Sequence, residues 1–140
     1  MKRGRRIAFD YGDVRIGVAV SDPDSILSSP LTTLKTTDRN LKHQISEIFS
    51  EVDPVTIYVG RPALLSGKDG SASEKVAEFV ALLSTITTAP IEMVDERMST
   101  ISAARNLRDA GRNAKDSKDS IDMAAAVAIL DFAIEIEKRK

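Results

Sequence analysis

The stretch Ile7-Ala8-Phe9-Asp10-Tyr11-Gly12-Asp13-Val14-Arg15-Ile16-Gly17-Val18-Ala19-Val20-Ser21-Asp22 constrains the fold more than any other part of the chain. Two short apolar runs flank a compact polar turn, which is the pattern of a β-hairpin, and Asp10 falls near the end of its first strand. An ionised carboxylate in so apolar a strand is costly unless a metal, a cation or several hydrogen-bond donors meet it. Asp10 is therefore the first functional candidate. The alternative is that it lies just past the last buried residue and accepts hydrogen bonds from the turn amides, as strand-end aspartates do. Taken alone, the hairpin leaves both readings open.

The remaining chemistry is bounded by what the chain lacks. It has 140 residues, no cysteine and one histidine, His43. That length suits one domain over residues 1–140 with a core of its own. Thiolate zinc sites, cysteine nucleophiles and disulfides are excluded, and a single histidine on an expected surface helix excludes histidine metal clusters and Ser-His-Asp chemistry. Hydrolysis would have to run on carboxylates, hydroxyls, lysines and arginines. No apolar run approaches the roughly twenty residues that span a bilayer, and the basic start leads into a strand rather than a signal peptide, so a cytoplasmic protein with no membrane partner is expected. The net charge of -1 gives no global attraction to nucleic acid. Such a partner would have to be held by local basic groups, at the amino terminus, at Arg105, Arg108, Arg112, Lys115 and Lys118, or at Lys138-Arg139-Lys140. At either terminus such a cluster is more often a solvated surface.

Taken in order, the pattern predicts five strands and four helices. After the hairpin, Pro30 to Leu34 reads as a third strand, and Asp38 as the cap of a helix with Leu41, Ile45, Ile48, Phe49 and Val52 inward, ended by Asp53-Pro54. Val55 to Val59 is a β-branched strand opening at Gly60 into a glycine-containing loop. Ser71 and Glu74 have capping-box spacing ahead of a helix with Val76, Phe79, Val80, Leu83 and Ile86 on one stripe. Pro90 to Val94 is the last strand. Thr100 can cap a helix bearing Ile101, Ala104 and Leu107, ended by Gly111. Gly111 to Ser120 reads as a polar loop, with Asp119 or Ser120 capping a long, alanine-rich final helix packed deeply on the sheet. Three antiparallel strands followed by two joined through helices give an α/β fold with a mixed sheet, and ligands gather at the carboxyl ends of the parallel strands.

Three acidic positions share that edge if the first and last strands run the same way: Asp10, the pair Asp95-Glu96, and Asp122 in the first turn of the final helix. Converging carboxylates repel unless a cation joins them, and an all-oxygen set suits Mg2+ or Mn2+. Each acid also has a structural role open to it. Asp122 can favour the helix dipole, and Asp95 or Glu96 can pair with Arg97 at the surface. Arg15 and Arg97 flank the same strand ends, Arg61 follows the Gly60 turn, and guanidinium groups suit bidentate phosphate contact; they can equally balance the carboxylates. Lys115 and Lys118 can clamp a nucleic-acid backbone or simply solubilise a loop.

These residues resemble the YqgF family, also called the RuvX or Holliday junction resolvase family, over nearly the whole chain. The resemblance rests on Asp10 through Asp22, on Gly60-Arg61-Pro62 with Gly67 and Gly70, on Asp95-Glu96-Arg97-Met98-Ser99-Thr100, and on Ile121-Asp122-Met123-Ala124-Ala125-Ala126 with Ile129-Leu130. It implies an RNase H-like fold with sheet order 3-2-1-4-5 and helices on both faces. It also implies metal-binding catalytic carboxylates at Asp10, Glu96 and Asp122, with Asp95 a neighbour of less defined role. Departures are Ser66 before Gly67 and the aspartates interspersed in Asn113 to Asp119, which weaken the expectation of tight nucleic-acid binding.

The expected function is a divalent-metal-dependent nuclease that hydrolyses phosphodiesters. Structured RNA is favoured over branched DNA, and the family resemblance implies the 16S ribosomal RNA precursor at its 5′ end as that RNA. Pre-ribosomal particles are a candidate partner, and the protein would act as a monomer or weak homodimer. The alternatives are a resolvase for four-way DNA and a non-catalytic RNA-binding ribosome-assembly factor. An actin-like or sugar-kinase ATPase also opens on an aspartate-glycine hairpin, but the chain is too short for two lobes. With two tyrosines, four phenylalanines and no tryptophan, recognition by shape and backbone is expected over base stacking.

Overall fold

The computed structural model describes residues 2–61, 71–95 and 115–139, with the side chains of 61, 71–73 and 115–122 outside the description. Strands β1 (Arg6–Tyr11), β2 (Arg15–Ser21) and β3 (Ser28–Lys35) are followed by helix α1 (Leu41–Val52), strand β4 (Thr56–Arg61), helix α2 (Ser71–Ser84), strand β5 (Ile91–Asp95) and helix α3 (Lys115–Arg139). The strands form one five-stranded sheet in the order β3-β2-β1-β4-β5. β1 pairs antiparallel with β2 and β2 with β3, whereas β4 lies parallel to both β1 and β5. The first and last strands therefore run the same way, as the converging-acid reading requires.

β1 is central and is buried on both pleat faces. Ile7 and Phe9 enter a core with Leu41, Ile45 and Phe49 of α1 and Val76, Phe79 and Leu83 of α2. The Phe9 ring meets Phe49 and Phe79 edge-on, at centroid separations of 6.1 and 5.3 Å. Ala8 faces the other way, into a core with Ala19, Tyr58 and Val94 and with Ala125, Ala126, Ile129, Leu130 and Ala133 of α3. Small residues on both sides of that contact let the helix axis approach the sheet closely, which is the packing the alanine-rich sequence predicts.

Several local expectations change. α1 has Asn40 at its N-cap position with no side-chain capping bond. Asp38 lies two residues before that position, and its Oδ1 accepts the Asn40 N–H at 2.8 Å in the turn that leads into the helix. At the other end Asp53 adopts a left-handed conformation and donates its N–H to Phe49 O, so the helix stops where Asp53-Pro54 predicted. β4 continues through Gly60 and Arg61, which pair with Val94 and Asp95; Arg61 is thus a strand residue rather than one following a turn. The final helix starts at Lys115, not at Asp119 or Ser120. Residues 115–120 are polar and unpatterned, which in sequence predicts loop. Their Lys-to-Asp spacings of four (115 to 119, 118 to 122) are compatible with a helix, and a helix nucleated downstream extends through such residues at little cost. Lys115 and Lys118 consequently sit on helix, and Asp122 is its eighth residue rather than in its first turn. The helix expected from Thr100 to Gly111 and the loop from Pro62 to Gly70 lie outside the described residues.

In the amino-terminal basic cluster Lys2, Arg3 and Arg5 are exposed, as a solvated patch requires, and Arg6 alone departs from it. Arg6 is fully buried. Its Nε donates to Glu137 Oε2 at 2.6 Å, and one terminal nitrogen to Glu137 Oε1 at 3.3 Å and Lys2 O at 2.6 Å. The other terminal nitrogen donates to Gly4 O at 2.8 Å and Ser25 Oγ at 3.0 Å. Glu137 Oε2 also accepts the Tyr58 hydroxyl at 3.2 Å, and Lys138 Nζ donates to Ser25 O at 2.9 Å. Ser25 donates its N–H to Asp22 O at 3.0 Å, and the Asp22 carboxylate accepts the Ile26 and Leu27 N–H groups that follow at 2.7 and 2.8 Å. These backbone donors hold the Asp22 carboxyl below its ordinary pKa.

Candidate active site

Asp10 is 1% exposed. It is the penultimate residue of β1 and, by strand alternation with Ala8, points to the face covered by α3. Its register partner on β2 is Gly17. One step beyond the Phe9–Val59 pair, its neighbour on β4 is Gly60. Glycine at both register positions means that neither β2 nor β4 places a side chain directly abreast of Asp10. A one-residue count along the hairpin would have found Gly17; the Gly60 neighbour needed the β1–β4 register.

The turn after β1 is tightly built. A Cβ on Gly12 would stand 2.6 Å from Arg15 O, so a side chain there would force the backbone apart. Thr36 clamps the turn, its Oγ1 donating to Gly12 O at 2.7 Å and its N–H to Val14 O at 3.0 Å. Lys75 of α2 donates to Asp13 Oδ1 at 2.9 Å, and this contact raises the lysine pKa. Tyr11 lies on the opposite face from Asp10, its ring 5.1 Å from Phe79. Burial, and then the nearby Asp13 charge, raises its hydroxyl pKa. Lys75 did not stand out in the sequence, because an isolated lysine in a helix's first turns carries no spacing signal. Arg15 opens β2 directly after the turn.

The other expected acids divide. Asp95 ends β5 opposite Arg61. Val94 belongs to the core under α3, so alternation sets Asp95 on the opposite pleat face from Asp10, two strands and roughly 10 Å away across the sheet. Sheet edge is shared; sheet face is not. Glu96 and Arg97 lie outside the described residues, as do the side chains of Arg61, Lys115, Lys118 and Asp122. Among the described residues no group of three potential metal ligands is formed. The orientation of α3 is clear, however. Glu137, near its carboxyl end, reaches Arg6 at the start of β1. The helix therefore runs antiparallel to β1 and directs its amino-terminal half towards the strand end that carries Asp10.

Known proteins agree with this architecture. The model of the family described as "RuvX: Holliday junction resolvase" matches residues 4–135. The chain belongs to the RuvX family. A relative from Streptomyces coelicolor, named "Putative pre-16S rRNA nuclease", is 43% identical over 140 residues, covering 99% of this chain and 84% of that protein. A relative of the same name from Cutibacterium acnes is 44% identical over 133 residues, covering 94% and 82%. In fold, the chain is similar to Thermus thermophilus RuvC solved with a Holliday junction substrate, with a TM-score of 0.65 at 13% identity and 96% of each chain covered. This RuvX member is a nuclease by homology, with an RNase H-like fold. No described helix is long and apolar enough to cross a membrane.

Proposed function

We propose that this RuvX protein is a divalent-metal-dependent nuclease acting at the 5′ end of the 16S ribosomal RNA precursor, with Asp10, Glu96 and Asp122 as its catalytic carboxylates. One observation carries the reading: a carboxylate 1% exposed at the carboxyl end of the central strand, flanked by two glycines. That is where ligands of parallel sheets collect. The donor chemistry fits Mg2+ or Mn2+, since every candidate ligand is a carboxylate oxygen and the sole histidine lies on α1. A bound divalent ion would supply positive charge against the phosphoryl oxygens and a more acidic water.

The chain's own residues take the other roles. Asp10 holds the ion against the sheet. Of the adjacent acids on β5 and beyond, Glu96 is favoured over Asp95 as its partner, because the alternation that reaches Asp95 leaves it on the wrong face. Asp122 is four residues before Ala126 and seven before Ile129, both fully buried, which is the spacing of one helix face. Asp122 or Glu96 accepts the proton of the attacking water. Arg15, Arg61 and Arg97 hold the phosphodiester and offset its charge, and Lys115 and Lys118 bind the backbone further out. The acidic relief in the 113–119 region and the net charge of -1 make affinity depend on these few cations, so binding should weaken steeply with salt.

The test is cleavage, with Mn2+ or Mg2+, of precursor 16S RNA and of a four-way DNA junction by the parent and by Asp10→Asn. Precursor cleavage lost in the variant is expected. Cleavage unchanged by the substitution would refute the carboxylate mechanism, and cleavage of the junction alone would replace RNA by branched DNA as the substrate.

A further inference from the structure

We infer that Arg6 and Glu137 are positioning residues that set how far along β1 the helix α3 sits, and hence how position 122 stands relative to Asp10. The inference rests on the proposed function for its catalytic consequence. Arg6 and Asp10 occupy the same pleat face of β1, four residues or roughly 13 Å apart. Glu137 and position 122 occupy one helix, fifteen residues or roughly 22 Å apart. A stiff strand and a stiff helix, joined at one end, transmit that junction to the other end.

The junction has the features of a register pin. All five N–H donors of the buried guanidinium are engaged: two reach Glu137, and the others reach Lys2 O, Gly4 O and Ser25 Oγ. Glu137 is held a second time by Tyr58 of β4, so the helix is tied to two adjacent parallel strands. Lys138 ties the same turn to the β2–β3 connection through Ser25 O. Between the two ends the contact is apolar: Ala8, Ala19, Tyr58 and Val94 of the sheet meet Ala125, Ala126, Ala128, Ile129, Leu130, Ala133 and Ile134 of the helix. Apolar burial is non-directional and holds the helix against the sheet. The directional hydrogen bonds at the far end add a fixed position along the axis.

Buried ion pairs replaced whole by apolar residues of similar volume commonly keep or gain stability, which separates positioning from mere stabilisation. The experiment compares the parent with the triple variant Arg6→Met, Tyr58→Phe, Glu137→Leu, and with Glu137→Asp, whose carboxylate is one methylene shorter. Both are made in the parent's cysteine-free background with spin labels at Lys35→Cys on β3 and Asp131→Cys on α3, two exposed sites. Expected for the folded triple variant are a broadened label-to-label distance distribution and a kcat on precursor RNA lowered tenfold or more, with KM within twofold of the parent. Glu137→Asp should shift the mean distance and lower kcat several-fold.

A triple variant as stable as the parent, with unchanged distances and kcat, overturns the inference. If the triple variant fails to fold, Glu137→Asp decides: unchanged distance and kcat overturn it, and a shift in both supports it. A parent without metal-dependent cleavage would refute the proposed function instead, and the label distances would still test the pin.

Discussion

Metal binding at Asp10 should be visible as stability, independent of any substrate. A ligand that binds only the folded state at a hundred times its Kd stabilises it by about 2.7 kcal/mol. For 140 residues the unfolding entropy near the midpoint is about 0.3 kcal/mol per kelvin, so saturating Mn2+ should raise the parent's Tm by about 9 °C. Asp10 is the described acid most deeply placed at the strand ends, at 1% exposed, and Asp10→Asn removes its charge with little change of shape. If the substitution weakens binding a hundredfold, the same Mn2+ concentration adds at most about 0.4 kcal/mol, or about 1 °C. Asp95→Asn, on the opposite pleat face, should keep most of the parent's shift. Thermal melts of the three proteins with EDTA and across a Mn2+ titration measure this directly. Equal Mn2+-induced shifts in the parent and Asp10→Asn would refute the assignment of Asp10 as a ligand, and loss of the shift in Asp95→Asn would refute the argument from strand alternation.

Two further outcomes concern the frame that holds the site. Tyr58 has its pKa pushed up to about 12, first by burial and then by the Glu137 charge; a phenol kept neutral by folding contributes stability that is present below pH 10 and lost as pH rises towards 12. Urea melts should therefore show a steeper loss of stability over that window in the parent than in Tyr58→Phe, and identical pH profiles would contradict the burial argument. Phe9→Ala should cost about 3–5 kcal/mol, since Phe9 is fully buried and makes edge contacts with two helices; a loss under about 1 kcal/mol in urea unfolding would mean that this core relaxes far more than its packing implies.

What could be read in the chain is what depends on short-range pattern. Alternating apolar runs around Gly12 define the β1–β2 hairpin, and the stripes Leu41-Ile45-Phe49 and Val76-Phe79-Leu83 identify the faces that cover the sheet. Order and direction of the strands followed from the connections and from family resemblance together. The features that escaped depend on distant partners or on competition. Arg6 resembles any basic residue at a chain start, and only Glu137, 131 residues away, makes it a core residue. Asp38 has a capping residue's identity, yet it lies two residues before the N-cap position and its carboxylate serves the turn that leads into α1. Residues 115–120 have no apolar period to betray a helix, because their helical state comes from the segment that follows them. In sequence Asp95 looks as able as its neighbour to join Asp10, and only the pleat, fixed by Val94 beneath α3, sets Asp95 on the face away from Asp10.

The α3-facing side of β1 reads Arg6, Ala8, Asp10: a cation, a methyl group and a carboxylate in successive outward positions of one strand. Both charges are taken out of water, which is costly for either, but the fold treats them differently. Arg6 lies where the strand begins and α3 ends, and all its donors are engaged by this chain's own carboxylate, hydroxyl and carbonyl groups. Such a group has no hydrogen-bonding capacity left for a ligand, and its role is architectural. Asp10 lies where β1, β4 and β5 all end, with glycine at its register positions on β2 and β4 and the Gly12 turn just beyond. Ala8 between them permits one helix to span both. The same strand thus anchors the helix at one end and carries Asp10 at the other, and on the proposed function an error of alignment at the Arg6 end would be carried along the helix to the proposed catalytic carboxylates.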